Sequence, residues 1–322
     1  MTLISRRKIL GAGATIGALS IAGVRGARAQ QYPDRGITLI VPYGAGGGTD
    51  ITARLLAKDL EVVIGKPVTV ENRAGGGGWV GWGALAAAKP DGYLLGYLNA
   101  PSMYAGYLDP QSNRRERLES FTPLMNHVID YNLWAVKKDS PFKTVKDAID
   151  AAKKEPNKLT ITGYGAGGDD HIAILGVEAE TATKYVVIHY RSSAEAKTAA
   201  LGGHADIFAA NISEVAEDVK AGNIRVLGVM SPTRSKFLPD APTFKEQGYN
   251  QIWSVSRGIA APADLPKDIE TVLTGYLEKT LTSKDHQAKA EGLSLEPSII
   301  KGADYRKFLK DNEQATKKLM GW

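Results

Sequence analysis

The chain has 322 residues, 43% hydrophobic and 23% charged, an ordinary globular composition with room for one large or two medium-sized domains. It contains no cysteine, which excludes disulfides, thiolate metal sites and cysteine nucleophiles. The formal charge of +5 resides in residues 1–29, where Arg6, Arg7, Lys8, Arg25 and Arg28 meet no acid; the rest holds 35 basic against 35 acidic residues, so neither nucleic acid nor an anionic membrane is an expected partner.

Taken in chain order, the first segment reads as an export signal. S-R-R-K-I-L at 5–10 is followed by a Gly/Ala-rich apolar run and by A-R-A at 27–29, a basic region, a short apolar region and a small-x-small cleavage site. The Arg6-Arg7 pair before an apolar pair is similar to a twin-arginine signal. The apolar run spans 16 residues from Ile9 to Val24, short of the roughly 20 that a membrane span needs. Cleavage after Ala29 and a periplasmic mature protein are expected, exported by the twin-arginine route.

The next unit is strand, glycine loop, helix. I-T-L-I-V at 37–41 predicts a buried strand, Y-G-A-G-G-G-T-D follows, and the apolar spacing from Ile51 predicts an amphipathic helix. P-V-T-V-E at 67–71 predicts a second strand, 80–88 an alanine-rich helix closed by K-P-D-G, and 93–98 a third strand. The alternation resumes with a strand at 133–136, a helix from Thr144, and strands at 159–162, 185–188, 206–209 and 225–229, with a helical pattern at 194–201. Beyond Pro262 the pattern is mostly helical. Strands alternating with helices predict an α/β chain built on mainly parallel sheets, in two lobes joined by strand-like crossovers.

One pentapeptide occurs twice. Y-G-A-G-G stands at 43–47 and again at 164–168, each time between an apolar run and a helical pattern, with aspartate close behind. A glycine loop at that position aims backbone N–H groups and the positive end of a helix dipole at the carboxyl edge of a sheet, where open α/β sheets bind ligands. Neither copy is a P-loop, because no lysine follows the glycines, and Thr49 stands where a dinucleotide fingerprint needs its third glycine. Residues 76–81 do fit G-x-G-x-x-G, but no acid for the ribose follows in 93–101. The pair of loops predicts a cleft with an anion site on each wall, closing by hinge motion on a solute with carboxylates at both ends. Thr49, Asp50, Asp169 and Asp170 are then expected to cap the helix N-termini, with contact to an ammonium group as the alternative. The triplet Asp169-Asp170-His171 admits a metal-dependent hydrolase as a second class of function, although H-E-x-x-H and G-x-S-x-G motifs are absent. His171 is read as a hydrogen-bond donor to the loop or solute. No cofactor is expected.

The stretches Y-P-D-R-G-I-T-L-I-V-P-Y-G-A-G-G-G-T-D (32–50), V-E-N-R-A-G-G-G-G (70–78), K-P-D-G-Y (89–93), G-A-G-G-D-D-H (165–171), G-G-H-A-D-I (202–207), A-G-N-I-R-V-L-G-V (221–229) and L-P-D-A-P-T-F-K-E-Q-G-Y (238–249) together resemble the substrate-binding proteins of tripartite tricarboxylate transporters, the Bug family. The resemblance implies a two-lobed periplasmic-binding-protein fold (type II, Venus flytrap), with residues 30–130 and 253–322 in lobe 1 and 131–252 in lobe 2. It implies a non-catalytic monomer that captures a small carboxylate and serves integral-membrane transporter subunits, or a sensor. By position, one wall of the site would be Tyr43, Gly46, Gly47, Gly48, Thr49 and Asp50, with Asn99 and Ser102 in the next loop. Gly165, Gly167, Gly168, Asp169, Asp170 and His171 would form the facing wall, with Asn211 on the cleft.

Overall fold

The computed structural model describes residues 32–321; the expected export signal lies outside them. In chain order the elements are β1 (Ile37–Val41), α1 (Gly48–Ile64), β2 (Val68–Asn72), α2 (Trp79–Ala86), β3 (Leu94–Ala100), α3 (Ser102–Leu108) and β4 (Phe121–Lys137). There follow α4 (Val145–Lys154), β5 (Thr160–Gly163), α5 (Asp169–Thr181), β6 (Val186–His189), α6 (Ser193–Leu201), β7 (Phe208–Asn211), α7 (Ile212–Lys220) and β8 (Ile224–Val229). The chain ends with β9 (Ser254–Pro262), α8 (Lys267–Leu281), α9 (Lys284–Gly292), β10 (Glu296–Lys301) and α10 (Gly302–Met320).

Local chemistry explains most boundaries. In α4, Thr144 Oγ1 accepts the Asp147 N–H at 3.1 Å while Asp147 Oδ2 accepts the Thr144 N–H at 2.9 Å, a capping box that satisfies two helix-end donors. Val145, Ala148, Ile149 and Ala152 then fall on one face and are buried. Burying each large aliphatic side chain contributes about 1.5–3 kcal/mol. α1 ends at Gly65, whose φ of 66° is the left-handed cap that glycine accepts most readily.

The sheet order is β10-β4-β9-β3-β1-β2, with β7 and β8 also paired to β4 and a separate β5-β6 pair. β1 runs parallel to β2 and β3, and β5 parallel to β6, as βαβ units require. The sheets are nevertheless mixed, where mainly parallel ones were expected, because β9 pairs antiparallel with both β3 and β4 and β4 pairs antiparallel with β10, β7 and β8. β4 is the reason. Its residues 121–131 pair with β9, and its residues 132–137 pair with β7 and β8, so one 17-residue strand passes through both halves of the molecule.

Apolar side chains separate accordingly. One core gathers Ile37, Leu39, Leu56, Trp82, Tyr97, Leu98, Ile259, Leu273 and Tyr305. The other half has two layers, one around Trp134, Ile149, Ile161, Ile174 and Phe244, the second around Leu133, Phe208, Ile212 and Val215. The fold is a two-lobed α/β structure in which both lobes share β4.

Candidate functional site

The first glycine loop runs from the end of β1 into α1. Gly46 has φ of 80°, and a Cβ on Gly48 would lie 2.5 Å from Arg257 Nη2 and 3.0 Å from Glu214 Oε1. A Cβ on Gly44 or Gly47 would come within 3.1 Å of Ser192 or Ser193 at the start of α6. The missing side chains therefore make room for a buried guanidinium and for the opposite lobe. The Gly44 N–H also donates across to the Arg191 carbonyl at 3.3 Å.

The second loop runs from β5 into α5 and meets the first lobe just as closely. A Cβ on Gly165 would sit 3.1 Å from Gly77 Cα, and one on Gly167 would sit 2.6 Å from Ala105 Cβ. The first residues of the two pentapeptides touch, with Tyr43 and Tyr164 rings edge to face at 5.9 Å. The echo in the sequence is thus a pair of facing loops in the structure, each leading into a helix N-terminus.

Asp169 links the walls. Its Oδ2 accepts Nδ2 of Asn132 at 2.8 Å and Nδ2 of Asn211 at 3.1 Å. Its Oδ1 lies 3.3 Å from Ser102 Oγ and 3.1 Å from the Tyr164 hydroxyl, while its own N–H donates to Ser102 Oγ at 3.0 Å. The carboxylate is 2% exposed and fully engaged, which is what a buried charge requires. Asp170, the next residue, turns back instead and accepts the Tyr164 N–H at 3.0 Å. Burial and the neighbouring Asp169 charge push the Asp170 carboxyl well above the usual carboxylate range. His171 Nδ1 accepts the Gly167 N–H at 2.9 Å with its ring against His189; burial, then His189, lowers it to about 4. His171 Nδ1 therefore accepts from the loop, which in the neutral ring leaves Nε2 as its donor. The triplet diverges to three different partners, and among the described residues no group of three His, Asp or Glu side chains is arranged to hold a metal.

The caps of α1 differ from the expectation. Its N-cap is Gly47, with no side-chain bond. Thr49 Oγ1 accepts Nδ2 of Asn99 at 2.8 Å, joining β3 to the loop and leaving the helix end to others. Asp50 reaches back to the Gly46 N–H at 2.9 Å and pairs with Arg54 and Asn72 on the far side of the loop. Burial would raise its carboxyl, but the bonds from Arg54, Gly46 and Asn72 outweigh it and hold it below the usual range. Tyr43 Oη is buried beside the Ser102 hydroxyl, and Asn99 Oδ1 is buried without a hydrogen-bond partner within the protein.

Beneath the first loop lies a charge cluster that sequence reasoning missed. Arg257 of β9 is 1% exposed; its Nη1 meets Asp130 Oδ2 at 2.6 Å and its Nη2 meets Asn211 Oδ1 at 3.0 Å. Glu214 Oε1 stands 4.0 Å from Nη2 and accepts the Gly48 N–H at 3.2 Å. Burial raises the Glu214 carboxyl and Arg257 partly offsets the rise. The available signal was a lone arginine in the apolar run V-S-R-G-I-A-A and a lone acid in V-I-D-Y.

Solved structures share this architecture. The periplasmic binding protein BugD matches with a TM-score of 0.84 at 26% identity, over 90% of this chain and 98% of that one. R. palustris Rpa4515 with adipate matches with a TM-score of 0.84 at 25% identity, over 90% and 98%. A two-lobed fold of this kind is that of the periplasmic solute-binding proteins, and such proteins are not enzymes. Residues 52–321 match the tripartite tricarboxylate transporter family receptor, and BugT of Bordetella pertussis is 32% identical over 293 residues, 89% of this chain and 88% of that protein. The chain belongs to the tripartite tricarboxylate transporter receptor family, the Bug proteins.

Proposed function

We propose that the protein captures a small carboxylate, a di- or tricarboxylate or a related organic acid, between the loops at 43–50 and 164–171 and delivers it to the membrane subunits of a tripartite transporter. The observation that carries this reading is the pairing of two loops that share Y-G-A-G-G, each feeding a helix N-terminus, with the buried Asn99 Oδ1 left without a partner beside them. Helix N-termini favour anions, and Rpa4515, which shares the fold, is a structure with adipate. On this reading Asn99, Ser102, Asp169 and Asn211, all buried where the loops meet, are the side chains that face the solute; Asp50, Asp170 and His171 bond the loops through Gly46, Tyr164 and Gly167. On this reading lobe 1 comprises 30–130 and 253–322, lobe 2 comprises 131–252, and the mature monomer reaches the periplasm by the twin-arginine route after cleavage near Ala29.

A melting-temperature screen over di- and tricarboxylates, aromatic acids and acidic amino acids tests the proposal. A solute at 100 times its dissociation constant stabilises the fold by about 2.7 kcal/mol. A screen in which no carboxylate raises the melting point, while another solute class does, overturns it.

A further inference from the structure

The cluster under the first loop joins two helices from different lobes. Glu214 is the third residue of α7, and its Oε2 accepts the Asn211 N–H at 2.9 Å, the back-bond of a capping box. Its other oxygen leaves α7 and accepts the N–H of Gly48, the first residue of α1. α1 packs Ala53 and Leu56 into the first core, whereas α7 packs Ile212, Val215 and Ala216 into the other lobe. α1 brings no capping side chain of its own, so a carboxylate carried by the opposite lobe supplies its cap. Arg257, fixed by Asp130, holds a positive charge 4.0 Å from the same oxygen.

We infer that Glu214 is a closure latch, a positioning residue that holds the lobes together at the first loop before solute arrives. Opening leaves the carboxylate on α7 alone and exchanges its bond to the start of α1 for a hydrated helix end. Because Oε2 anchors the side chain to α7, the latch travels with its own lobe and breaks at Gly48. A protein that is partly closed beforehand binds its solute more tightly, since apparent affinity scales with the fraction in the competent state. The inference rests on the cleft being the solute site, but its decisive measurement needs no solute.

The absence of cysteine allows Lys58→Cys on α1 and Glu217→Cys on α7, both exposed, to carry a clean pair of spin labels. In solute-free protein the parent pair is expected to show a dominant short distance, E214A a dominant longer one, and E214Q, which keeps one acceptor oxygen, a mixture. An E214A distribution superimposable on the parent's overturns the latch, as does a parent that is already open. Should E214A fail to fold, an E214Q distribution identical to the parent's overturns it equally. If the carboxylate proposal fails, these distances still decide the matter. With a binding carboxylate in hand, E214A is expected to weaken affinity at least tenfold.

Discussion

Replacing Gly48 with alanine sets two known effects against each other. Alanine is favoured over glycine in a helix by up to about 1 kcal/mol, so an unobstructed substitution at the start of α1 would stabilise the protein. Here the new Cβ would lie 2.5 Å from Arg257 Nη2, 3.0 Å from its Cζ and 3.0 Å from Glu214 Oε1. The guanidinium cannot withdraw freely, since its Nη1 is held at 2.6 Å by Asp130 and both groups are buried. Overpacking of this kind costs about 1–3 kcal/mol, and separating part of a buried ion pair adds to it. The expected net result is a loss of about 1–3 kcal/mol, a fall in Tm of roughly 2–4 °C per kcal/mol at this chain size. Scanning calorimetry of Gly48→Ala beside Gly83→Ala provides the measurement. Gly83 lies in α2 with no atom within 4 Å of its added Cβ, so that variant should gain about 0.4–1 kcal/mol. If both variants are equally stabilised, Arg257 does not press against the loop and the account of the glycine run is wrong.

Arg257→Met strands Asp130 in the interior and is expected to cost about 3–5 kcal/mol; adding Asp130→Asn should recover part of this in a double-mutant cycle by urea unfolding. Ser102→Ala removes the acceptor for the Asp169 N–H at the start of α5, with an expected loss of about 0.5–2 kcal/mol and weaker solute binding by calorimetry. Because His171 is lowered to about 4 from 6.5, the unfolded chain binds its proton first as the pH falls. Its stabilising contribution, complete above about 6.5, is lost between there and about 4. His171→Gln should flatten that part of the stability–pH curve, leaving a residual slope from His127, His189 and His286, which burial lowers too.

What the sequence revealed and what it hid differ in range of interaction. The strand at 37–41 and the helix from Thr144 are local patterns, and both stand where the residues predict them. The opening half of β4 escaped because F-T-P-L-M-N-H-V-I-D mixes in Asn126, His127 and Asp130. These are buried only because Ser256, His286, Arg257 and others come to meet them. β10 escaped because a short edge strand, E-P-S-I-I-K, interrupts an otherwise helical tail. The loops of the site were visible as a repeated pentapeptide. The partners that shape them were not, since Gly48 and Glu214 are separated by 166 positions and Asp130 and Arg257 by 127, and no periodicity connects such pairs.

The shared strand also governs the order in which the molecule can be completed during synthesis. Ile37, Leu56 and Tyr97 are made early, yet the core they belong to includes Ile259, Leu273 and Tyr305, and Tyr104 hydrogen-bonds the carbonyl of Leu309. β9, which lies between β3 and β4 in the sheet, is synthesised only after the whole segment from β5 to β8. The lobe that begins first must therefore finish last. Its early strands leave the ribosome with an apolar face waiting for residues more than 150 positions downstream, a high-contact-order topology of the kind that folds slowly.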